Sequence, residues 1–387
     1  MRILHVITTV GTGGAERMLL NVVAAGHRAG VRQGVVALRQ GGMLAEPLRA
    51  AGAEVWNCGL KAGHPSLSAG LAIRRICAAF DPNIVQGWMY HGNLAACLVR
   101  TLWRARPRLV WGIHHSIDDL RNEKRMTRAL IRLSAHLSGW PDRIVYVSRA
   151  SQRQHAALGY RDRDSAIIPN GFDCARFRPR AGAREDLRRA LGLGPDTILL
   201  GKVAVVRPMK DHPGLMRACA LLKARGLPFH LVLIGQRTTE DNPDLVRLIE
   251  LAGVRDRVTL LGERHDIPDL IAGLDGLVVA SAWGEAFPIV IGEAMASGVP
   301  CVTTDVGDSA WIVGDTGIVV PPRDPPALAD GMAGLITMDP DRRRRLGMAA
   351  RARIEQNFEL GTVVQRYYDL YRQVAQPQGL GDRVAVP

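Results

Sequence analysis

The hydrophobic positions of this chain alternate between two patterns along nearly its whole length. Short, continuous apolar runs rich in Val, Ile and Leu are typical of strands that are buried on both faces of a parallel sheet. Such runs occupy residues 3–8, 109–113, 143–147, 198–206 and 277–280. Between them lie segments whose apolar residues recur at helical spacing, such as 15–25 and 69–79. This alternation predicts βαβ units and an α/β fold with parallel sheets.

The length of the chain predicts more than one domain. Single hydrophobic cores rarely organise more than about 250–300 residues, and this chain has 387. A polar stretch with Pro and Gly at residues 178–183 is typical of a hinge. We therefore expect a first domain over residues 1–178, a second over 179–357 and a frayed tail over 375–387.

Two glutamates stand at the edge of the second predicted sheet. The loop over residues 281–288 follows an apolar strand and carries Glu285, and the next helix carries Glu293. Pro288 suits the first helical turn, and Gly298 suits the residue just past the helix end. Ligands of open α/β sheets bind at the carboxyl ends of strands, where helix N-termini attract anions. Two carboxylates there suit a ligand with hydroxyl groups and phosphate; as ordinary helix residues they would only complement the dipole or face solvent.

A glycine-rich loop follows the first predicted strand. Gly11, Gly13 and Gly14 separate that strand from an amphipathic helix whose first turn carries Glu16. Such a loop can hold a phosphate or a sugar at the helix N-terminus, or it can be a tight turn without a ligand. The nicotinamide-binding fingerprint is excluded, because its third glycine would fall on Glu16 and because Arg39, not an acid, closes the next strand.

Histidines and cations stand at further strand ends. His91 follows one strand of the first half, and His114 and His115 follow the next. Histidines at such positions are often structural, and none here has a Cys or acidic partner at metal-ligand spacing, so no metal site is expected. In the second half, Arg207 and Lys210 follow a strand, where two cations would neutralise a diphosphate leaving group or would simply be surface charges.

Composition narrows the class of partner. Hydrophobic residues make up 47% of the chain and charged residues 22%, as in soluble globular proteins. The net charge of +13 favours anionic partners, which include phosphorylated substrates, acidic lipid surfaces and nucleic acid. No nucleic-acid-binding module is recognised and aromatic residues reach only 5%, so we do not expect nucleic acid as a partner.

Cysteine usage and hydropathy predict a cytoplasmic protein. The six cysteines are scattered without a Cys-x-x-Cys motif, which indicates neither disulfides nor zinc sites. The first residues lack the features of a signal peptide. No apolar run approaches the roughly 18 residues that a membrane span requires.

One stretch of the first half is unusually basic. Residues 100–132 contain nine arginines and lysines, interleaved with Trp103, Leu130 and Leu133. The pattern fits either a solvated helix face or a surface that docks on an anionic membrane, where each cation contributes about 1 kcal/mol. Docking would suit a lipid-linked substrate and a peripheral location on the inner face of the cell membrane.

The longest motif of the chain resembles that of a known enzyme family. One run contains Glu285-Ala-Phe-Pro and then, eight positions after the first glutamate, Glu293-Ala-Met-Ala-Ser-Gly-Val-Pro. It resembles the Glu-x7-Glu motif of the family 4 retaining glycosyltransferases, and the resemblance extends from Ile3 to about Tyr371. It implies the GT-B fold: two Rossmann-like, doubly wound parallel-sheet domains that face each other across a cleft, with the nucleotide held mainly by the second. It also implies that a terminal helix, here about residues 358–374, joins the first domain.

In the second domain, the resemblance assigns residues to the sugar donor. It implies that Glu285 contacts the sugar and supports the charge that develops on its ring, and that Glu293 binds the ribose hydroxyls. It implies that Lys210, with Arg207, holds the diphosphate. The further donor-binding positions are Gly235, Gly262, Ala286 and Phe287.

Two positions depart from the family pattern. Val205 stands where relatives usually carry an arginine, and this departure bears on donor affinity. Ala286 replaces the usual glycine after the first glutamate, where a methyl group narrows the approach of phosphate only slightly if φ is negative.

In the first domain, the resemblance implies that His115 contacts the transferred sugar. The residues of the phosphate and acceptor loop and of the cleft lining would be Gly13, Gly14, Glu16, His91 and Asn170. For Asn170, the Asn-Gly pair also fits turn chemistry alone.

The resemblance therefore implies a hexosyltransferase that uses a nucleoside-diphosphate sugar, UDP being the family's commonest nucleotide, and retains the anomeric configuration. The acceptor would be a saccharide or lipid-linked saccharide in cell-surface polysaccharide assembly, such as that of lipopolysaccharide. The departing diphosphate would accept the acceptor's proton, and neither a metal nor another cofactor is expected. Two alternatives stay open: a GT-B nucleotide-sugar 2-epimerase, and a non-enzymatic nucleotide or sugar binder.

Overall fold

The computed structural model describes residues 1–11, 13–60 and 67–376. The chain divides into two compact units. Unit 1 comprises Met1–Pro169 and Gly361–Pro387, and unit 2 comprises Asn170–Leu360. Thr12 of the predicted glycine loop and most of the predicted tail lie outside the described residues.

Unit 1 is built on a seven-stranded parallel sheet. Its strands are β1 (Arg2–Ile7), β2 (Arg32–Ala37), β3 (Glu54–Asn57), β4 (Ile84–Trp88), β5 (Arg108–Ile113), β6 (Arg143–Tyr146) and β7 (Ser165–Ile167). Its helices are α1 (Gly14–Arg28), α2 (Ala45–Ala50), α3 (Leu67–Phe80), α4 (Met89–Leu102), α5 (Arg125–Leu137) and α6 (Arg149–Ala157). The strand order β3-β2-β1-β4-β5-β6-β7 reverses between β1 and β4, which makes the carboxyl ends of these two strands the switch point of the sheet.

Unit 2 repeats this plan with six parallel strands. They are β8 (Ile198–Val203), β9 (Phe229–Ile234), β10 (Val258–Gly262), β11 (Gly276–Val279), β12 (Cys301–Thr304) and β13 (Ile318–Val320). Its helices are α7 (Ala183–Ala190), α8 (His212–Ala224), α9 (Pro243–Leu251), α10 (Ile267–Ala272), α11 (Ile289–Ala296), α12 (Ser309–Val313), α13 (Pro325–Ile336) and α14 (Pro340–Asn357). The order β10-β9-β8-β11-β12-β13 places the switch point between β8 and β11. The two parallel sheets confirm the predicted α/β architecture.

The last helix, α15 (Leu360–Ala375), packs on unit 1 through tyrosines at helical spacing. Tyr367, Tyr368 and Tyr371 are buried. The Tyr368 hydroxyl donates to the Val22 carbonyl at 2.6 Å, and the Tyr371 hydroxyl donates to Gln86. These phenols fill the apolar side of the helix and give each hydroxyl a partner, as buried tyrosines require.

The unit boundary lies at Pro169, earlier than the predicted boundary at residue 178. The reason is that Phe172 belongs to unit 2: its amide donates to the Phe358 carbonyl at 2.9 Å, and its ring stacks on Phe287. Pro288 does not lie in the first helical turn, as the sequence predicts. Helix α11 begins at Ile289, and Pro288 is the residue just before it.

A buried charge cluster joins three elements of unit 2. Asp275, at the start of β11, contacts Arg188 of α7 and, at 3.9 Å, Arg343 of α14. Its carboxylate also accepts from the Leu199 amide at 2.7 Å. Arg343 lies within four consecutive arginines at residues 342–345, a pattern that by itself predicts a solvated helix face. It is nevertheless only 4% exposed, and its guanidinium also donates to the Leu335 carbonyl. Among the described residues, no helix is both long enough and apolar enough to cross a membrane.

Candidate active site

The carboxyl ends of β8 and β11 lie at the switch point of the unit 2 sheet. A 3-10 turn at Pro208–Lys210 follows β8, and the loop after β11 carries Ser281 and Glu285. The Ala282 amide donates to the Met209 carbonyl at 2.8 Å, which ties the two loops to each other. Parallel strands end at the same edge, so this order brings the loop side chains together.

Lys210 and Glu285 form an ion pair at this edge. The Lys210 ammonium donates to Glu285 Oε1, and the Ser281 hydroxyl donates to the same oxygen at 2.6 Å. The Glu285 side chain is 10% exposed, whereas the Lys210 side chain is 22% exposed. A buried carboxylate held by one hydroxyl and one accessible cation is arranged to exchange that cation for a ligand.

The loop that carries Glu285 has a conformation fixed by its neighbours. The Thr304 hydroxyl donates to the Ser281 carbonyl at 2.6 Å. Gly307 has φ +63°, and a Cβ there would lie 2.0 Å from the Glu285 carbonyl oxygen. Because only glycine permits this approach of two backbones, Gly307 holds the loop in place.

The other predicted donor residues of this loop and of α11 divide by burial. Glu293 lies in α11 and is half-buried, and Ala286 is half-buried in the loop. Phe287 is buried: its ring stacks on Phe172 at 6.0 Å between centroids and meets the edge of Trp311. Phe287 therefore anchors the loop in the core of unit 2.

Two glycines lie at the carboxyl ends of β9 and β10. Gly235, after β9, has φ +136°, and a Cβ there would lie 2.4 Å from the Ala204 carbonyl oxygen. Its amide donates to the carbonyl of Gly262, which ends β10 with φ +67°. Arg207, between β8 and the 3-10 turn, is exposed, and its guanidinium makes no ion pair with any described residue. It is thus available to an anion.

In unit 1, His115 stands in a hydrogen-bonded chain that the sequence did not reveal. Its Nδ1 lies 3.1 Å from the Tyr90 hydroxyl, and its Nε2 lies 3.2 Å from Glu123 Oε1. The Tyr90 hydroxyl also lies 2.8 Å from Nε2 of His155, whose Nδ1 lies 2.7 Å from the Ser151 carbonyl. Both ring nitrogens of His115 therefore have partners within unit 1.

These hydrogen bonds determine where the protons of His155 and Tyr90 lie. A carbonyl can only accept, so His155 donates from Nδ1 to Ser151 and accepts the Tyr90 proton at Nε2. Burial lowers the pKa of His155 to about 4 and raises that of Tyr90 well above its usual range. The hydrogen bond from His115 lowers the pKa of Glu123. The Tyr90 hydroxyl and the Glu123 carboxylate thus hold the two ring nitrogens of His115 and fix the orientation of the ring.

The glycine loop after β1 is filled by a carboxylate. Gly13 is the residue just before α1, and a Cβ on it would lie 2.5 Å from Glu16 Oε2. Gly14 is the first helical residue. A negative charge already stands at the anion-attracting end of α1, so this end offers an acceptor to hydroxyl groups.

Two other predicted site residues are His91 in unit 1 and Asn170 in unit 2. His91, on α4, lies at an apolar groove with Leu94 and Leu98, and burial lowers its pKa, with Arg39 adding to the effect. Asn170, in unit 2, is 7% exposed, and its Oδ1 has no hydrogen-bond partner among the described residues. The structure thus brings Lys210 and Glu285 into contact, and it places His91 at the groove beside α4.

No cluster of three or more His, Cys, Asp or Glu side chains suited to a metal ion occurs in the described part of the chain. The expectation that no metal or other cofactor is needed remains a prediction.

Comparisons with known proteins follow the same division of the chain. The profile described as Glycosyltransferase Family 4 matches residues 12–176, and that of Glycosyl transferases group 1 matches residues 183–338. The lipopolysaccharide core biosynthesis mannosyltransferase LpsB of Rhizobium meliloti (strain 1021) is 30% identical over 293 residues, which cover 67% of this chain and 78% of that protein. A D-inositol 3-phosphate glycosyltransferase of Nocardia farcinica (strain IFM 10152) is 34% identical over 221 residues, 54% of this chain and 48% of the relative. The chain thus spans about half the length of the second relative.

Solved structures match the whole fold. The structure of Anabaena Alr3699/HepE in complex with UDP has a TM-score of 0.81 at 23% identity, over 96% of this chain and 100% of that one. A glycosyltransferase from Rickettsia africae ESF-5 has a TM-score of 0.84 at 20% identity, over 97% and 99%. With its two parallel-sheet units, the protein has the GT-B fold. It belongs to the family 4, or group 1, glycosyltransferases and is a glycosyltransferase.

Proposed function

We propose that this glycosyltransferase moves a hexosyl group from a nucleoside-diphosphate sugar, with UDP as the nucleotide, to a saccharide acceptor and retains the anomeric configuration. The observation that carries this proposal is the Lys210–Glu285 pair at the switch point of unit 2. A sugar diphosphate needs a cation for its phosphate oxygens and a hydrogen-bond acceptor for its hydroxyl groups. An accessible ammonium beside a nearly buried carboxylate offers both.

In this scheme the ion pair opens when the donor binds. The Lys210 ammonium moves to the diphosphate, on which negative charge grows as the bond to the sugar breaks. Arg207 adds a second cation, and Glu293 accepts from the ribose hydroxyls. Glu285 then accepts from a sugar hydroxyl and stabilises the positive charge on the ring.

The bonding changes balance without a protein base or a metal. The bond between the anomeric carbon and the diphosphate oxygen breaks, and a bond from the acceptor oxygen to the same face of that carbon forms. The acceptor's proton passes to the departing diphosphate oxygen. His115, held by Tyr90 and Glu123, contacts the sugar in this proposal.

Two of the comparisons bear on the nucleotide of the donor and on the biological setting. The fold neighbour Alr3699/HepE is described in complexes with UDP and with UDP-glucose. The relative LpsB is described as a mannosyltransferase of lipopolysaccharide core biosynthesis. The first supports UDP as the nucleotide, and the second supports cell-surface polysaccharide assembly as the setting.

A thermal-shift panel tests the donor. A ligand at 100 times its Kd stabilises the folded state by about 2.7 kcal/mol, so the cognate nucleotide sugar should raise Tm most. Lys210→Met should abolish most of that shift. The matched control is Lys223→Met, which removes a partly exposed lysine of α8 that pairs with Asp256 and donates to the Gly253 carbonyl; it should keep the shift. A panel in which no nucleotide sugar raises Tm would contradict the proposal.

The same samples separate the two alternatives. A 2-epimerase converts the donor to an isomer without any acceptor, so the nucleotide sugar alone is incubated and analysed for isomers. A non-enzymatic binder gives a thermal shift but releases no nucleoside diphosphate when saccharide acceptors are added. Release that depends on an acceptor supports the transferase.

We propose in addition that the acceptor is lipid-linked and that unit 1 docks on an anionic membrane. A groove of about 710 Å³ lies between α4 and α5 in unit 1. Leu98 and Leu102 of α4, Leu133 of α5 and the nearby Trp140 line it, and each is about half exposed, from 49% to 56%. Contiguous apolar surface of this kind marks binding sites on soluble proteins.

Cations lie on a helix that lines part of this groove. Arg125, Arg128 and Arg132 follow one another at helical spacing on α5, the helix that also supplies Leu133. None of the three makes an ion pair with a described residue, and Arg125 and Arg132 are exposed. A helix that carries both unpaired cations and exposed apolar side chains matches the interface of an anionic bilayer, where both groups find partners.

Sedimentation with liposomes tests the docking. Arg125→Ser with Arg128→Ser should weaken binding to anionic vesicles by about 2 kcal/mol, roughly thirtyfold, because each cation contributes about 1 kcal/mol. The matched control replaces Arg342 and Arg345, exposed arginines of α14 in unit 2, by Ser and should bind as the wild type does. Binding that is insensitive to salt, or equal in both variants, would contradict the docking.

A further inference from the structure

Lys202 is a buried lysine directly behind the candidate active site. It lies on β8, in register with Leu233 of β9, and is 2% exposed. Its ammonium donates to the main-chain carbonyl of Lys210 at 2.7 Å. The 3-10 turn that carries Lys210 therefore rests on a second lysine that is closed off from solvent.

The turn needs such a support because the residue that follows it has an unfavourable backbone conformation. Asp211 has φ +43° and ψ +54°, in the left-handed region that non-glycine residues seldom adopt. Its side chain accepts from the Gly214 amide at 2.9 Å and so begins α8. The Lys202 hydrogen bond fixes the peptide between Lys210 and Asp211, where this strain is located.

Four ionisable groups face Lys202. Lys210 and Asp211 belong to the turn, His212 to the start of α8, and Glu285 to the loop after β11. His212 is 2% exposed, and neither of its ring nitrogens has a hydrogen-bond partner among the described residues. The neighbouring strands face this position with apolar residues, such as Leu233. A buried cluster with unpartnered nitrogens thus lies under the Lys210–Glu285 pair.

We propose that Lys202 is a positioning residue for the donor diphosphate: it holds the Lys210 turn in place and takes up a proton when the diphosphate binds. This inference rests on the proposed function, because it assumes that the diphosphate meets Lys210. Lys202 itself does not touch the donor. Its charge would also offset the cation that is absent at Val205.

The direction of the proton uptake follows from the charges. Burial, and then the nearby Lys210, lower the pKa of Lys202 from 10.5 to about 7, while Glu285 and Asp211 act in the opposite direction. Near pH 7.5 a substantial fraction of Lys202 is therefore neutral in the free protein. An anion bound at Lys210 favours the charged form and raises this pKa. Donor affinity should consequently fall as the pH rises above about 7.

His212 is unsuited to this titration. Burial, followed by Lys202 and Lys210, lowers the pKa of His212 to about 3, so His212 stays neutral across the range. UDP-glucose and GDP-mannose carry diphosphate diesters without a proton to lose near pH 7.5. Proton uptake with these two probes therefore reports on the protein.

Calorimetry in buffers of different ionisation enthalpy measures that uptake. We expect the wild type to take up a fraction of a proton with whichever of the two nucleotide sugars binds. Lys202→Met should bind it at least about tenfold more weakly, because a charged hydrogen bond is lost, and should take up none. Lys202→Arg keeps a permanent charge and should bind without proton uptake. Lys223→Met is the matched control and should behave as the wild type.

A measurement without donor keeps the inference separable from the proposed function. A lysine whose pKa is lower in the folded than in the unfolded state makes the folded state bind fewer protons, so stability rises with pH between about 7 and 10. This rise should be present in the wild type and smaller in Lys202→Met. Equal pH profiles of Tm, or equal proton uptake in Lys202→Met and wild type, would overturn the inference. Failure of the wild type to bind either nucleotide sugar would count against the proposed donor, while the Tm profiles would still decide whether Lys202 is the buried titrating group.

Discussion

Lys210 and Glu285 are separated by 75 residues, yet the ammonium of the first donates to the carboxylate of the second. Their loops leave β8 and β11, which are neighbours in the sheet although β9 and β10 lie between them in sequence. The pair is the only ion pair of Glu285 in the described part of the chain. It places opposite charges where a sugar diphosphate would need them.

Replacing either member of the pair should reduce transfer strongly. Lys210→Met should lower kcat about 10²–10³-fold, because it removes a cation from the place where transition-state charge grows. Glu285→Gln should also lower kcat. If the donor opens the pair, the double variant should lose less than the product of the two single losses, as residues that act together are non-additive. Steady-state kinetics of all three variants measures this coupling, and strictly multiplicative losses would contradict it.

Ser281 should matter through Glu285. Ser281→Ala removes the hydroxyl that donates to Glu285 Oε1 at 2.6 Å, and a hydrogen bond to a charged group contributes about 1.5–3 kcal/mol. We expect a lower kcat with little change in the nucleotide Kd. The control is Ser309→Ala, another buried serine of unit 2, whose hydroxyl donates to the Val306 carbonyl. Equal kcat values in the two variants would show that Ser281 has no special role.

Tyr90 should stabilise unit 1 more than an ordinary buried tyrosine does. Tyr90→Phe leaves His115 Nδ1 and His155 Nε2 without their partner, which should cost about 1–3 kcal/mol of unfolding free energy. In Tyr160→Phe, the control, one hydrogen bond to the Ile131 carbonyl is lost, at about 0.5–1.5 kcal/mol. Urea unfolding compares the stability of the two variants. A larger cost for Tyr160→Phe would contradict a special stabilising role for the hydrogen bonds of Tyr90 with His115 and His155.

The buried charge cluster should be sensitive to loss of its carboxylate. Asp275→Asn leaves Arg188, itself 3% exposed, without a counter-charge and should destabilise the protein by about 3–5 kcal/mol. Asp256→Asn breaks an exposed pair with Lys223 and should cost no more than about 1 kcal/mol. Thermal or urea unfolding distinguishes them. Similar costs would contradict the role of Asp275 as the counter-charge of a buried arginine.

Gly235 should not tolerate a side chain. Gly235→Ala would place a Cβ 2.4 Å from the Ala204 carbonyl oxygen at φ +136°, and both the clash and the backbone strain act at the edge of the candidate site. Gly226→Ala also lies at positive φ, +69°, but meets open space, so it isolates the cost of strain. We expect Gly235→Ala to lower both Tm and donor affinity and Gly226→Ala to lower Tm slightly. Equal effects would rule out the close approach as the cause.

Local sequence patterns predicted much of the fold and part of the candidate site. The apolar runs predicted β1, β5, β8 and β11 because a strand buried on both faces is apolar throughout. The same patterns placed Lys210 and Glu285 at strand ends. They did not reveal Ser281 as a partner, although its position four residues before Glu285 in the same loop is a usable signal. Tyr90 and His155 gave no signal, since 65 residues separate them.

One sequence interpretation shows where local patterns fail. Within the four arginines of residues 342–345, Arg343 reads as solvated, but the turn of α14 directs it to the Leu335 carbonyl. The direction of a side chain depends on what packs against its element.

By itself, the sequence determined the alternation of strands and helices, the presence of two parallel-sheet units and the family, because periodicity and contiguous motifs are local properties. The tertiary structure alone decided that β11 pairs with β8, that Lys210 meets Glu285, and that Lys202 is buried beneath them. Strand order is set by how helices pack on both faces of a sheet, and that packing joins residues far apart in the chain. Contacts of this kind leave no local trace in the sequence.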